Sequence, residues 1–358
     1  MPSCRSATTD RTVTRAAAPF AERLLHWWQQ HGRHDLPWQQ DRSPYRVWLS
    51  EIMLQQTQVA TVIPYFERFT RQFPTLSALA RADSDEVMAL WSGLGYYARA
   101  RNLLATARLC LEQHGGALPD RPEALEALPG IGRSTANAII AQAHDRRAVI
   151  LDGNVKRVMA RHAAIEGWPG QTAVARRLWQ AAEARTPRTK ARDYTQAIMD
   201  LGATLCRRSQ PRCKDCPVAS DCLGRIQETL DQLPGKRPKK PRPTQHTHML
   251  LIRDSEQRFL LEKRPPSGIW GGLWCLPMSE TPPTEAIPRD SLPVLIHQFS
   301  HFSLHIQPLM IEQTAWSGPG ERVSEADDQA WISLDEALSR GLPRPVQRLL
   351  ESLAAQET

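Results

Sequence analysis

From Pro19 onward, apolar residues recur at helical spacing. Phe20, Leu24, Leu25, Trp27 and Trp28 form one stripe, and Gly32 ends it. Ser43-Pro44 reads as a cap followed by a first-turn proline, and Val47, Trp48, Ile52 and Leu54 supply the buried face behind it. Gln55-Gln56-Thr57 breaks that run, with Thr57 expected to cap a second helix through Phe69. Further helices are predicted over 84–92, 98–114 and 122–128, from about Ser134, from about Val155, and over 168–184 and 193–205. No strand pattern stands out before Leu230.

After Leu230 the period changes. Residues 232–243, QLPGKRPKKPRP, are proline-rich and basic, which suits an extended linker. Strands are predicted over 247–253 and 258–263 across an Asp254-Ser255-Glu256 turn, and again over 302–312. Helices are predicted over 333–338 and 345–354. The expected layout is a disordered leader over 1–18, a mainly α region over 19–230, a linker over 231–246 and an α+β domain over 247–358.

Charge sharpens this division. The 358 residues carry a formal +7, but residues 1–230 carry +9, 231–243 carry +4 and 244–358 carry −6. A polyanionic partner is therefore a candidate for the first two thirds, against the plainer reading of a solvated basic surface. Seven cysteines, four of them close together, point to a ligated site in a reduced protein, and no disulfide framework is expected. No apolar run approaches a membrane span, and the leader has no apolar segment of the secretory kind.

Five stretches carry candidate chemistry. Cys206-x6-Cys213-x2-Cys216-x5-Cys222 can close one thiolate shell around zinc or an iron–sulfur cluster, and Arg207, Arg208, Arg212 and Lys214 rim it. Residues 128–140, LPGIGRSTANAII, read as helix, Pro-Gly-x-Gly turn, helix; such a turn aims backbone N–H groups at a phosphate. Glu51 lies among Trp48, Leu49, Ile52, Met53 and Leu54, either pointing to solvent or held as an acid of raised pKa. Asp152 precedes a helix and is either a plain N-cap or a carboxylate aimed at developing positive charge. GLGYYARARN interleaves aromatics with arginines, which suits wedging into and gripping a nucleic-acid backbone, or a helix-start loop with core tyrosines.

Taken together, LPGIGRSTANAI, LDGNVKRV and the cysteine loop resemble the helix–hairpin–helix DNA glycosylases that carry a [4Fe–4S] loop. WLSEIMLQQTQVATVIPYFERF, GLGYYARARN and the later Phe299-Ser300-His301 narrow this to the A/G-specific, MutY-type branch. The resemblance implies a six-helix domain and a cluster domain enclosing a cleft, followed by a Nudix-like domain. It implies one [4Fe–4S] cluster on Cys206, Cys213, Cys216 and Cys222, within loop 206–222. The implied substrate is adenine mispaired with 8-oxoguanine or guanine in double-stranded DNA, which a monomer would flip out and excise. Glu51 would be the general acid, Asp152 the carboxylate that stabilises the sugar cation, and Asn154 the residue orienting Asp152 or water. Trp38, Leu54, Gln196 and Met199 match the adenine pocket. Gln55 and Tyr96 match the wedge, and Gly130, Gly132, Ser134, Lys156, Arg208 and Lys214 complete the DNA-binding set. Phe299, Ser300 and His301 match an 8-oxoguanine-reading loop, although a hairpin of satisfied polar groups would look the same. A bacterial, cytoplasmic and nucleoid-associated location follows, with no membrane.

Two departures matter. Where the endonuclease III branch has an attacking lysine, this chain has Ser134, so no Schiff base is expected and the product should be an abasic site. After Gly271-Gly272 the chain lacks the paired glutamates of a Nudix hydrolase, and its prolines forbid a long helix, so a recognition module is expected. The rival readings are an endonuclease III-like pyrimidine glycosylase and lyase, a lesion-binding scaffold without chemistry, and a nucleotide hydrolase.

Overall fold

The computed structural model describes residues 18–238, 241–282, 292–312 and 328–357. The leader expected over 1–18 lies, but for Ala18, outside the described residues. The chain divides into two compact bodies: one joins the stretch up to Arg33 to Asp145–Lys236, and the other joins His34–His144 to the stretch from Arg237 on.

In chain order, α1 (Phe20–His31) belongs to the first body. Helices α2 (Pro37–Gln40), α3 (Pro44–Leu54), α4 (Val59–Gln72), α5 (Leu76–Arg81), α6 (Ser84–Trp91), α7 (Ala98–Gln113), α8 (Pro122–Glu126) and α9 (Arg133–His144) open the second. Pro44 sits in the first turn of α3, where its missing N–H is harmless. The Thr75 hydroxyl and the Asp83 carboxylate cap α5 and α6 by accepting from Ala78 N and Asp85 N at 3.1 and 2.7 Å. Thr57, expected as the cap of α4, is not one. The helix starts two residues later, and the Thr57 hydroxyl accepts from the Arg99 guanidinium instead. Trp48, Phe66, Phe69 and Trp91 are fully buried here, with Phe69 and Trp91 edge to face.

The first body resumes with α10 (Gly153–His162), α11 (Thr172–Arg185), α12 (Ala191–Asp200) and α13 (Leu223–Ile226). Helix α11 starts four residues later than its apolar pattern suggests, because Trp168-Pro169-Gly170 forms a turn closed by Gln171 N on Trp168 O at 2.9 Å. The helix expected over 193–205 is α12 plus one π turn, Leu201–Leu205. That turn opens where Gly202 meets α10: a Cβ on Gly202 would lie 2.6 Å from Asn154 Cβ. Leu233 is buried, and Gly235 N donates to Gly167 O at 3.0 Å, so the first part of the expected linker packs on this body.

The second body also holds a mixed sheet with strands β1 (Thr244–Arg253), β2 (Phe259–Lys263), β3 (Trp274–Cys275), β4 (Met278–Ser279), β5 (Leu295–Gln298), β6 (Ser303–Glu312) and β7 (Gln329–Ile332). The order is β3-β2-β1-β6-β5, with β4 beside β1 and β7 beside β2. Strands β1 and β6 run parallel, from Thr244 opposite Ser303 to Arg253 opposite Glu312. Helices α14 (Leu334–Ser339), capped by Ser333, and α15 (Arg344–Glu357) follow. Four of the strands are two to four residues long, too short to show a period. The proline-rich stretch after Gly271-Gly272 contains β3 and β4, and its residues 283–290 lie outside the described residues.

Sheet and helices of this body are tied at α6 and α7. Lys263 and the Trp274 indole N–H both engage the Asp85 carboxylate, at 2.5 and 2.9 Å. Arg101 donates to Gly271 O, and the Tyr97 hydroxyl donates to Leu342 O at 3.1 Å.

Candidate active site and cysteine cavity

Glu51 occupies the middle of α3, half-buried, and its Oε1 accepts from Gln142 Nε2 of α9 at 2.8 Å. Gln142 is only 4 % exposed. Ala138 and Ile139, on the same face one turn earlier, are buried too. A glutamine on the apolar stripe of a helix was therefore the legible signal for this partner, and it was missed.

Asp152 caps α10 in the first body. Its Oδ1 accepts from Val155 N at 2.7 Å, and Lys156 N closes the first turn on its backbone carbonyl. Burial pushes the carboxyl above the usual carboxylate range, while the amides of Val155 and Asn154 and the charges of Arg157 and Lys156 act against it. The helix start, which favours the ionised form, opposes this shift without cancelling it. Asn154 does not reach towards Asp152 with its side-chain oxygen, which accepts from Arg157 Nη2 at 2.8 Å.

Arg157 and Arg161 lie one turn apart on α10 and reach the cysteine loop. Arg157 donates to the carbonyls of Gly202 and Cys206, both at 2.7 Å. Arg161 donates to the carbonyls of Arg207, Arg208, Leu230 and Leu233, and its Nη1 lies 3.6 Å from Cys206 Sγ. Both arginines escaped the sequence reading, since a basic helix face looks solvated. Here Arg161 is 2 % exposed.

Cys206, Cys213, Cys216 and Cys222 line one cavity with Val158, Leu201, Leu205 and Val218; it holds about 400 Å³ of atom-free space, partly open to solvent. Burial and the neighbouring thiols push Cys216 up to about 12, and Cys213 and Cys222 also shift upwards. Four thiolates at this spot therefore need a cationic core beside them. Among the described residues no three His, Cys, Asp or Glu side chains converge tightly enough for a single metal ion. Four sulfurs from one loop are a ligand set that zinc and iron–sulfur clusters both use.

The remaining candidates divide between the two bodies. In the second, Trp38 is buried edge to face against Phe66, Leu54 ends α3, and Gln55 follows it half-buried. Tyr96 is 51 % exposed. Gly130 has φ +77°, and a Cβ there would sit 2.9 Å from Asn102 Cβ, so the turn between α8 and α9 requires glycine. Gly132 is exposed in that turn, and Ser134 is half-buried in the first turn of α9. Phe299, Ser300 and His301 form the turn between β5 and β6; Phe299 stacks on Phe302, and Ser300 and His301 are exposed. In the first body, Gln196 is buried and gives its amide to Asp200, while Met199 and Lys156 are half-buried. Arg208 and Lys214 are exposed. Asp200, a hub missed in the sequence, is fully buried and also accepts from the Trp28 indole and from Arg33.

Helix, glycine turn and helix, followed by an aspartate-capped helix strapped to a cysteine cavity, define the helix–hairpin–helix class of base-excision proteins. Residues 49–184 match the HhH-GPD superfamily base excision DNA repair protein family, and residues 248–352 match the NUDIX domain. An adenine DNA glycosylase of Buchnera aphidicola (from Acyrthosiphon pisum) is 37 % identical over 343 residues, covering 93 % of this chain and 97 % of the relative. The Mus musculus adenine DNA glycosylase is 36 % identical, covering 88 % of this chain and 74 % of the relative. A solved thermostable thymine-DNA glycosylase superposes with a TM-score of 0.53 at 27 % identity, over 58 % of this chain and 95 % of that one. The chain belongs to the adenine DNA glycosylase family. It is a base-excision-repair enzyme with a helical glycosylase region and a Nudix-like domain. No helix among its described residues is long and apolar enough to cross a membrane.

Proposed function

We propose that this enzyme binds double-stranded DNA, as a monomer, and removes adenine mispaired with 8-oxoguanine or guanine, leaving an abasic site. Glu51, as a neutral acid, gives its proton to N7 of the flipped adenine, and the C1′–N9 electrons leave with the base. Asp152, as a carboxylate, faces the positive charge that grows on the sugar; water then adds its oxygen at C1′ and releases a proton to solvent. The observation that carries this reading is the contrast between the two acids. Glu51 is held by a neutral amide on one helix; Asp152 is desolvated at the start of another, beside two cationic side chains. A carboxylate desolvated in the free protein gains most when a cation forms against it.

Trp38, Leu54, Gln196 and Met199 would contact adenine, with Asn154 setting the Asp152 end of the site. Gln55 and Tyr96 would wedge the duplex. Gly130, Gly132, Ser134, Lys156, Arg208 and Lys214 would hold phosphates. Ser134, a hydroxyl on α9, cannot form a Schiff base, which supports a monofunctional reaction. Phe299, Ser300 and His301 would read the opposing 8-oxoguanine. The four cysteines would hold one [4Fe–4S] cluster, which supplies a structural fastening and takes no part in the bond-breaking step. A nucleoid location follows from the DNA substrate.

The test is a duplex with A opposite 8-oxoguanine, incubated with the enzyme and then treated with alkali. Cleavage at A only after alkali is expected. Cleavage without alkali would indicate a lyase, and stable binding without base loss a scaffold. Glu51→Gln should bind and not excise; retained excision would remove Glu51 from the acid role.

A further inference from the structure

The second body contains a buried guanidinium that the chemistry above does not use. Arg99, on the first turn of α7, is 7 % exposed and has no carboxylate among its partners. Its Nη1 donates to the carbonyls of Ile52, Met53 and Gln55 at 3.0, 2.7 and 2.7 Å, at the C-terminal end of α3. Its Nη2 donates to the carbonyls of Leu94 and Gly95 at 3.3 and 2.9 Å and to the Thr57 hydroxyl at 3.2 Å. The guanidinium carbon also lies 5.4 Å from the ring centroids of Trp91 and Tyr96. Burial lowers its pKa to about 10, and the neighbouring Tyr96 acts against that fall.

One side chain thus joins two loops that are distant in sequence. Both loops contain a non-glycine residue in the left-handed region, Gln56 at φ 58° and Tyr96 at φ 51°. Such conformations persist only where surrounding contacts over-determine them; the Arg99 fork contacts the residues on either side of Gln56 and the two residues before Tyr96. A planar fork with fixed donors can register two backbones against each other; the single ammonium of lysine cannot.

We infer that Arg99 is a positioning residue that sets Gln55 and Tyr96 as one rigid wedge before DNA arrives. This rests on the proposed wedge role of those two residues. Holding both loops in advance spares their ordering when the duplex is opened. The benefit falls only on DNA that must be opened, so Arg99 raises the preference for a mispaired over a fully paired duplex.

The test uses the full chain with two duplexes. One carries 2′-fluoro-2′-deoxyadenosine, whose glycosidic bond resists cleavage, opposite 8-oxoguanine and beside a 2-aminopurine reporter; the other is fully paired. Arg99→Met should lower the affinity ratio of mispaired to paired duplex by about tenfold, within the range of coupled networks. It should also dim the reporter of base unstacking. Arg99→Lys, which keeps the charge, should fall in between and guards against loss of folding in the Met variant. In a Gln55→Ala/Tyr96→Ala background, Arg99→Met should change the ratio no further. A lower melting temperature with an unchanged ratio and reporter in both Arg99 variants would overturn the inference and leave Arg99 a purely structural clamp. If Gln55→Ala/Tyr96→Ala itself leaves the ratio intact, the wedge role fails and this inference fails with it.

Discussion

Gly202→Ala tests whether the contact between α10 and the π turn sets the position of Asp152. The added Cβ would lie 2.6 Å from Asn154 Cβ and 3.2 Å from its Cα and carbonyl carbon, where ordinary contact begins at 3.4 Å. These are backbone and first side-chain atoms of a helix, with no flexible end to swing aside, so the two segments must separate by about 0.8 Å. Overpacking of this kind costs about 1–3 kcal/mol. For a domain of this size that lowers the melting temperature by about 2–12 °C. The displacement also falls on the helix that Asp152 caps and on the 2.7 Å bond from Arg157 to Gly202 O. A reacting group moved by about 1 Å can lose about 100-fold in rate. Single-turnover excision followed by alkaline strand scission reads the rate, and calorimetry reads the stability. Gly153→Ala is the control, since a Cβ there meets nothing within 4 Å and alanine favours the helix. Wild-type rate and stability in Gly202→Ala would refute the argument; so would equal losses in the control.

Three further outcomes follow from the same geometry. Gln142→Leu removes the donor to Glu51 from a site buried enough to accept leucine, so excision should fall by about tenfold to 100-fold, the worth of a hydrogen bond that becomes charge-assisted once Glu51 has given up its proton, with DNA affinity unchanged by titration. Arg161→Met removes the strap from α10 to the carbonyls of Arg207, Arg208, Leu230 and Leu233, so the melting temperature should fall, together with the iron content and visible absorbance of the proposed cluster. Asp152 binds its proton more tightly in the folded than in the unfolded protein, so its ionisation costs stability as pH rises through the raised folded value. Asp152→Asn should therefore raise the melting temperature at pH 8 and lose that advantage in acid below the unfolded value, while abolishing excision. The acid limb of the wild-type rate profile should lie above the ordinary aspartate range, and Arg157→Met should move it higher.

Much of this protein was legible without coordinates because its chemistry is tied to local backbone geometry. The Pro-Gly-x-Gly turn is readable because only glycine takes φ +77° against Asn102, and the cap at Asp152 because a carboxylate before a helix meets free amides. The cysteine spacing is readable for the same reason: the four ligands come from one short loop. The alternation of strands after Thr244 likewise announced a second kind of domain.

What only the tertiary structure decided is which distant groups complete these local signals. Gln142 reaches Glu51 across two helices, and Arg157 and Arg161 grip a loop about 45 residues further along the chain. Arg99 holds two loops some 40 residues apart. In sequence each of these is an ordinary polar residue on a helix. Their roles arise from burial and from the carbonyls that folding brings to them, and neither quantity has a period that a linear pattern can display.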